Sequence, residues 1–239
     1  MRNPSSIHPQ YFGLIPGVQP MLPYPRRVPT WSWHGWHSSA KALGPGRFRS
    51  ILERDGHTLL CADWRIKEYA VEPHQLTYWA PNRTGELVKR IYTPDFVAKD
   101  QQGRIYIMEI KAKGLADLPK WSSLEPYIRE AYEVDHGVPL LVYTEAQLRA
   151  EPRLSNCRLM LRFRGPPDDA PAEMAVRDVL EQRETGATIG EIGSELAASQ
   201  IDADRSFGAV MRLALEGVVN VDLTKPFSPL SAVKLGGWA

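Results

Sequence analysis

The stretch KRIYTPDFVAKDQQGRIYIMEIKAK, residues 89–113, decides the fold of the first half of the chain. Its two apolar runs, KRIYTPDFVA and RIYIMEIKA, are rich in β-branched and aromatic residues. The polar segment KDQQG between them contains glycine and has the length of a hairpin connection. We therefore expect two antiparallel strands. Side chains alternate along a strand, so one face of the second strand carries Ile105, Ile107, Glu109 and Lys111.

This hairpin predicts a charged cluster near the end of its strands. Asp95 follows Pro94, and antiparallel pairing brings it beside Glu109. Two adjacent carboxylates repel each other unless a cation lies between them. Hard oxygen ligands suit Mg²⁺, which tolerates few protein ligands and keeps several waters. Lys111 would then orient or deprotonate an attacking water, while the cation polarises a phosphate.

A third carboxylate is expected from the segment upstream. RFRSILERDGHTLLCADW, residues 47–64, predicts a helix with Ile51, Leu52, Leu59 and Leu60 on its buried side, slightly weakened by Gly56. Glu53 on this helix could reach the same cation. Taken alone, the charges also fit an ordinary Glu109–Lys111 ion pair, a turn aspartate at 95 and a solvated helix glutamate at 53.

The remaining pattern up to residue 165 indicates an α/β layer structure. Strands are predicted at IKEYAV (66–71), QLTYW (75–79), PLLVYT (139–144) and RLMLRF (158–163). A helix is predicted over 117–137, interrupted by Pro126 and ended by Gly137, and another over 145–151. Trp121 and Tyr127 on the longer helix are expected to be core residues.

RGPPDDAP, residues 164–171, predicts a domain boundary, because adjacent prolines and acids stop regular structure. Three helix-like runs follow at 172–184, 188–199 and 202–217, with Thr188 and either Asp202 or Asp204 placed as N-caps, and then the strand-like VVNVDL (218–223). This order is typical of a winged helix. The predicted domains are an extended arm (1–46), an α/β domain (47–165) and a winged-helix domain (172–239).

Composition excludes several classes of protein. The chain has 239 residues, of which 43% are hydrophobic and 24% charged, as in ordinary globular proteins and unlike disordered, collagenous or coiled-coil chains. No stretch is long and apolar enough for a membrane span, and MRNPSSIHPQ at the start lacks the apolar region of a secretory signal. With only Cys61 and Cys157, a disulfide framework is excluded. We expect a cytoplasmic protein with no membrane partner.

Charge is unevenly distributed along the chain. Residues 1–52 contain six basic side chains and no acid, whereas residues 166–239 carry twelve acids and six bases. A basic arm suits binding to a polyanion such as DNA. The alternative interpretation is an arm that happens to lack acids and has no such partner. The arm holds eight of the twenty prolines, so we expect no regular element there and an extended path over its own surface or a partner's.

The constellation TPD…ExK resembles the PD-(D/E)xK nuclease superfamily, and more closely the TnsA endonuclease subunit of heteromeric cut-and-paste transposases. The resemblance covers most of residues 45–235. It includes the SxxER helix start at Ser50–Arg54, the YAVEPHQLTY strand pair, YTPDF at Tyr92–Phe96, MEIKAK at Met108–Lys113 and the C-terminal pattern TIGEIGSEL…AVMRLALEGVVNVDL. Members often have Gln-Pro where this chain has Glu72-Pro73, so the role of Glu72 stays open.

The resemblance implies a restriction-endonuclease-like mixed central sheet flanked by helices, followed by a winged helix. By it, Glu53, Asp95, Glu109 and Lys111 correspond to active-site positions. Glu53, Asp95, Glu109 and the Ile110 carbonyl would hold one or two Mg²⁺ or Mn²⁺ ions. The enzyme would cut the 5′ strands at transposon ends in double-stranded DNA. Its partners would be a TnsB-like integrase-type transposase and a TnsC-like AAA+ regulator, the latter contacted through the C-terminal domain.

Two other functions stay open from the sequence. One is a free-standing nuclease of the same superfamily, serving restriction, repair or junction resolution. The other is a DNA-binding adaptor whose nuclease-like domain no longer cleaves; the presence of all four candidate residues weighs against it.

Overall fold

The computed structural model describes residues 9–23, 33–165 and 169–236. The chain has a mixed α/β fold with a mixed sheet flanked by helices, which confirms the predicted fold class at this level. The arm residues Arg2, Arg26, Arg27 and Trp31 lie outside the described residues, as do residues 166–168 of the predicted boundary.

The described residues form eleven strands: β1 (Gly35–Trp36), β2 (Arg47–Phe48), β3 (Ile66–Val71), β4 (Leu76–Pro81), β5 (Leu87–Tyr92), β6 (Phe96–Asp100), β7 (Ile105–Ile110), β8 (Leu140–Tyr143), β9 (Ala187–Thr188), β10 (Val219–Val221) and β11 (Ala232–Leu235). They also form nine α-helices: α1 (Ile51–Ala62), α2 (Lys113–Ala116), α3 (Pro119–Ser122), α4 (Glu125–Glu130), α5 (Glu145–Leu148), α6 (Arg153–Met160), α7 (Ala170–Glu181), α8 (Ile189–Ala197) and α9 (Ala203–Glu216). Short 3₁₀ segments lie at Pro9–Phe12 and Leu161–Phe163, and a π-helical turn at Ala131–Asp135 follows α4 directly.

The described chain divides into two compact units, one of residues Met1–Leu60 and Ile66–Leu148, the other of Cys61–Arg65 and Arg149–Ala239. The segment 149–165, which the sequence assigns to the first domain, therefore groups with the second unit. Its Met160 is buried in the apolar core of that unit, and Phe163 packs against the same core.

The central sheet of the first unit has the strand order β3-β6-β7-β8. Strands β6 and β7 form the predicted antiparallel hairpin, with Phe96 opposite Met108. Strand β8 pairs parallel to β7, with Glu109 opposite Val142. The turn Asp100–Arg104 closes the hairpin, and its Gly103 adopts the left-handed conformation (φ 84°).

One predicted strand is in fact two. KRIYTPDFVA divides into β5 and β6, because Pro94 has no N–H for a ladder and restricts the conformation of Thr93. Strand β5 pairs with β4 in a separate two-stranded sheet, and β6 joins the central sheet. The predicted YAVEPHQLTY strand pair is likewise divided between these two sheets. Asp95 consequently lies at the point where the chain passes from one sheet to the other.

Helix α1 packs on one face of the central sheet through a glycine, and of the predicted apolar stripe only Leu60 is fully buried. Ile51, Leu52 and Leu59 are only half-buried, whereas Gly56 and His57 are buried. A Cβ atom on Gly56 would lie 2.3 Å from Ile110 Cδ1 and 3.4 Å from Phe96. The glycine that weakens the helix pattern in the sequence is therefore what allows the helix to approach β6 and β7.

Replacing Gly56 with valine is expected to destabilise the protein by about 1–3 kcal/mol, the usual cost of overpacking a core. The expected result is a lower urea midpoint. Gly114→Val is the matched control, because a Cβ on Gly114 meets nothing within 4 Å. Equal midpoints for the two variants would show that α1 does not depend on this close approach.

The other face of the central sheet covers the core of the first unit. Ile107 and Leu140 from this sheet pack with Ile128 of α4 and Tyr132 of the π-helical turn. Pro126 stands in the first turn of α4 and Gly137, in the left-handed conformation, follows the π-helical turn, as the sequence indicates. The region predicted as one broken helix over 117–137 is thus a series of short helices.

Residues 9–23, which we call the strap, lie against the first unit itself. Phe12 and Leu14 are buried in its core, and the Phe12 ring makes edge contacts with His74 and His136, with centroids 5.5 and 5.6 Å apart. Met21 N–H donates to the Glu72 carbonyl at 2.8 Å. The sequence predicts that the arm lies either on the chain's own surface or on a partner's. The described residues 9–23 lie on the chain's own surface. The expectation of no regular element is wrong at Pro9–Phe12 and Gly35–Trp36.

The second unit contains the three predicted helices, α7, α8 and α9, and a sheet of order β10-β11-β9. Thr188 caps α8 with a capping box to Glu191, and the cap of α9 is Asp202 rather than Asp204. The predicted strand at 158–163 is wrong, since α6 and a 3₁₀ turn occupy this segment. Leu154, Cys157 and Met160 of α6 are buried at helical spacing, a pattern that the short window RLMLRF hides.

Both cysteines are free, in line with the excluded disulfide framework, and both are buried. In residues 9–23, 33–165 and 169–236, no helix has the length and apolar character needed to span a membrane.

Candidate functional site

The β6–β7 register brings two of the predicted site residues together. Because Phe96 pairs with Met108, Asp95 and Glu109 are the next residues facing each other. Ile110 N–H, next along β7, donates to Asp95 Oδ2 at 2.7 Å. This hydrogen bond fixes the Asp95 carboxylate against the end of the sheet beside Glu109.

Both oxygens of the buried Glu109 carboxylate accept hydrogen bonds. Lys111 Nζ forms an ion pair with Oε1, and the Tyr92 hydroxyl donates to Oε2 at 2.5 Å. Tyr92 ends β5, so the hairpin sheet contributes this donor to the central sheet. Burial and the charges of Glu109 and Asp95 raise the pKa of Tyr92 well above its ordinary value, which keeps the hydroxyl protonated.

Asp95 is in an environment that disfavours its charge. Burial is the largest cause, followed by repulsion from Glu109 and then from Glu53, and together they raise the pKa of Asp95 well above its ordinary value. The Ile110 N–H and the Lys111 ammonium oppose this shift but do not cancel it. Additional positive charge at this point would therefore stabilise the ionised Asp95.

Lys111 is held as an ammonium. Burial alone would lower its pKa, but the charges of Glu109, Asp95 and Glu53 outweigh burial and raise it. The ammonium also lies over the indole of Trp121, 4.5 Å from the ring centroid. Of the two roles predicted for Lys111, orienting a water as a donor fits this state, whereas deprotonating it requires loss of this proton.

Glu53 lies close enough for its charge to raise the pKa of both Asp95 and Lys111. Its own oxygens, however, serve the start of α1: Oε2 accepts from Arg49 N–H at 2.6 Å and Oε1 from the Ser50 hydroxyl at 3.0 Å. The Ser50 hydroxyl oxygen in turn accepts from Glu53 N–H at 3.1 Å. Ser50 and Glu53 thus form a cap related to the capping box. Glu53 contributes its charge to the site, and its role as a metal ligand stays a prediction, because its oxygens keep lone pairs beside these hydrogen bonds.

Glu72 belongs to a buried ion-pair cluster beside Glu53. It pairs with Arg47 and with Arg49, whose Nε is 3.0 Å from Oε1. Repulsion from Glu72 is one cause of the raised pKa of Glu53, after burial. Glu72 also adopts a positive φ of 44°, and its N–H donates to the Asp95 carbonyl at 3.0 Å. Its contacts are those of a structural residue that supports the Glu53 and Asp95 segments.

Whether this set fits a divalent cation depends on Asp95 and Glu109. In the ranges that the structure describes, no group of three or more His, Cys, Asp or Glu side chains could hold a metal ion. Mg²⁺, however, is usually held by one or two carboxylates together with waters and substrate phosphates. Two adjacent carboxylates in an environment that favours added positive charge fit that mode. Each carboxylate oxygen has two lone pairs, so the Glu109 oxygens can accept hydrogen bonds and still coordinate.

Two residues of the site were not predicted as such from the sequence. Trp121 is half-buried and packs against the core, as expected, but it also carries the Lys111 ammonium on its ring face. Tyr92 donates to Glu109 from seventeen positions earlier in the chain. For Tyr92, the available signal in the sequence was its place in the YTPDF motif. Nothing in the sequence indicates that its partner is Glu109.

No protein-family model matches the chain, and no curated protein matches its sequence.

Proposed function

We propose that the chain is a metal-dependent DNA endonuclease, the TnsA-like subunit of a heteromeric transposase that cuts the 5′ strands at transposon ends. The observation that carries the proposal is the meeting of Asp95, Glu109 and Lys111 at the end of the β6–β7 hairpin, with the charge of Glu53 nearby. Carboxylates and an amine in this arrangement suit phosphodiester hydrolysis.

The fold supports the same proposal. A mixed four-stranded sheet with α1 on one face and α4 on the other is compatible with a restriction-endonuclease-like domain. Three helices followed by a small antiparallel sheet, α7–α9 with β9–β11, are compatible with a winged helix. We infer this finer classification for each unit.

Each site residue has a role in the proposed reaction. Asp95, Glu109 and the Ile110 carbonyl would hold Mg²⁺ or Mn²⁺, which when bound polarises the scissile phosphate and stabilises the leaving oxygen. Lys111 donates hydrogen bonds that orient the attacking water and adds positive charge beside the phosphate. Glu53 keeps the local field negative, so that a cation is attracted to the site.

The second unit is proposed to bind protein more than DNA. Its two arginines on α9 are both paired with acids at the start of α7. Arg205 makes two hydrogen bonds to Asp169, at 2.7 and 2.9 Å, and Arg212 pairs with Glu173. With these cations engaged and twelve acids against six bases in residues 166–239, this C-terminal part of the unit favours a protein partner, for which we propose the TnsC-like AAA+ regulator.

The proposal is tested on a supercoiled plasmid that carries two transposon ends. With the chain, a TnsB-like transposase and Mg²⁺, we expect nicks in the 5′ strands at both ends, and no such nicks when EDTA removes the metal. The transposase alone is the control and should cut only the 3′ strands. Identical 5′ cleavage with and without the chain would refute the proposal, whereas 5′ cleavage by the chain alone on unrelated DNA would favour a free-standing nuclease.

A further inference from the structure

Glu109 and Lys111 are held by two aromatic residues that lie outside the four predicted site positions. Glu109 accepts from the Tyr92 hydroxyl at 2.5 Å, and the Lys111 ammonium lies 4.5 Å from the centroid of Trp121. The two rings also contact each other, with centroids 6.2 Å apart and planes at 45°. Together they form a continuous aromatic support on one side of the Glu109–Lys111 pair.

We propose that Tyr92 and Trp121 are positioning residues, Tyr92 orienting the Glu109 carboxylate as a metal ligand and Trp121 fixing the Lys111 ammonium. This inference rests on the proposed function. Neither side chain is required to touch the substrate. Each acts through the charged residue that it contacts.

The Tyr92 hydroxyl holds the Glu109 carboxylate in one orientation because it donates a hydrogen bond to a single oxygen, Oε2. Lys111 takes Oε1 and Tyr92 takes Oε2, so rotation of the carboxylate would break one contact or the other. Hydrogen bonds of this kind to ligating carboxylates typically change metal affinity or activity 10–100-fold. The Tyr92 ring itself is anchored by Tyr132, whose centroid is 6.2 Å away at 76°.

Trp121 holds Lys111 in a different way. A lysine side chain has four rotatable bonds, and the ion pair alone leaves much of that freedom. The ring face of Trp121 attracts the ammonium electrostatically and limits the positions that it can occupy. Reaction rates are sensitive to such restriction, because a displacement of about 1 Å can cost on the order of 100-fold.

Tyr92→Phe tests the first half of the proposal, since it removes the hydroxyl and keeps the ring. We expect the affinity of the purified full chain for Mn²⁺, measured by calorimetry without DNA, to fall about 10–100-fold. In the nicking reaction kcat should fall while KM for DNA stays constant. Tyr127→Phe is the control, because Tyr127 packs against the same core and should bind Mn²⁺ as the wild type does.

Trp121→Phe and Trp121→Leu test the second half. If the ring face holds Lys111, kcat should decrease in the order Trp, Phe, Leu at saturating metal, with unchanged KM and unchanged Mn²⁺ affinity. Trp79→Leu, at an exposed tryptophan of β4, should leave kcat unaltered. Equal kcat for the Phe and Leu variants would overturn the role of Trp121.

The outcomes separate this inference from the function on which it rests. Wild-type Mn²⁺ affinity and kcat in Tyr92→Phe, together with loss of both in Asp95→Asn, would overturn the positioning role of Tyr92 and leave the nuclease proposal standing. A wild-type chain that binds no Mn²⁺ would overturn both.

Discussion

Replacing Asp95 with asparagine is expected to abolish strand cleavage without loss of stability. Loss of one carboxylate removes several kcal/mol of the charge stabilisation that a metal ion supplies in the transition state, which corresponds to a rate at least on the order of 10³-fold lower. Asparagine retains a side-chain oxygen that can accept from Ile110 N–H, as Asp95 Oδ2 does. The measurement is the initial rate of 5′ nicking by Asp95→Asn and wild type at equal concentration.

The stability of the same variant follows from the pKa of Asp95. Burial and repulsion from Glu109 and Glu53 raise this pKa well above the ordinary value of 3.8. The folded protein therefore binds the proton more tightly than the unfolded chain does, and this contribution to stability is lost as pH rises from 3.8 through the raised pKa. In EDTA, the urea midpoint of Asp95→Asn should thus rise relative to that of the wild type as the pH increases from 4 to 8.

Asp117→Asn is the control for this comparison, because Asp117 is an exposed acid at the end of α2. Neither nicking nor the urea midpoint should change in that variant. Residual cleavage at the wild-type rate in Asp95→Asn would exclude this site. A marked fall of its urea midpoint at pH 8 would show that the Asp95 carboxylate supports the fold.

The largest effect on stability is expected at Arg47. Arg47 and Glu72 are only 6% and 7% exposed in their side chains, and the Arg47 guanidinium also donates to the Leu22 carbonyl of the strap. Removal of one partner from a buried ion pair typically costs about 3–5 kcal/mol, and because Arg49 still pairs with Glu72, we expect a cost near the lower end of that range. Arg47→Met should lower the urea midpoint accordingly.

A double substitution identifies the cause of that loss. Arg47→Met combined with Glu72→Gln also removes the buried carboxylate that has lost its more buried partner, and should recover part of the stability. Lys225→Met is the matched control, since Lys225 forms an exposed ion pair with Asp222 over 3.8 Å and should cost about 1 kcal/mol or less. If Arg47→Met cost no more than Lys225→Met, the buried cluster would not stabilise the first unit.

Local patterns predicted those parts of the molecule that local interactions determine. The β6–β7 hairpin and the juxtaposition of Asp95 with Glu109 follow from strand alternation and a short turn. The cap at Thr188 follows from a hydroxyl three residues before a glutamate. In each of these cases, the interacting residues are joined by a short connection whose geometry is nearly fixed.

The missed features depend on partners that are distant in the chain. The division of KRIYTPDFVA at Pro94 depends on which sheet each half joins, and Leu76 opposite Tyr92 settles this for β5. From the sequence alone, Gly56 only weakens the prediction of helix α1. Its packing role depends on Ile110, which lies against it and is distant in the chain. The cation–π contact of Lys111 with Trp121 likewise requires the fold of three short helices between residues 113 and 130.

Because the strap belongs to its core, the first folded unit begins at the strap and not at residue 47, where the sequence predicts the domain to begin. Phe12 and Leu14 fill apolar space in the core, and burial of such side chains is worth about 1.5–3 kcal/mol each. The carbonyls of Leu22 and Pro23 accept from Arg47 and Arg49, the arginines that flank the Glu53 cap. A shortened chain that starts at residue 47 would open a hydrophobic hole and remove one hydrogen-bond acceptor from each guanidinium group, so fragments meant to isolate the first unit should retain the sequence from residue 9 onward.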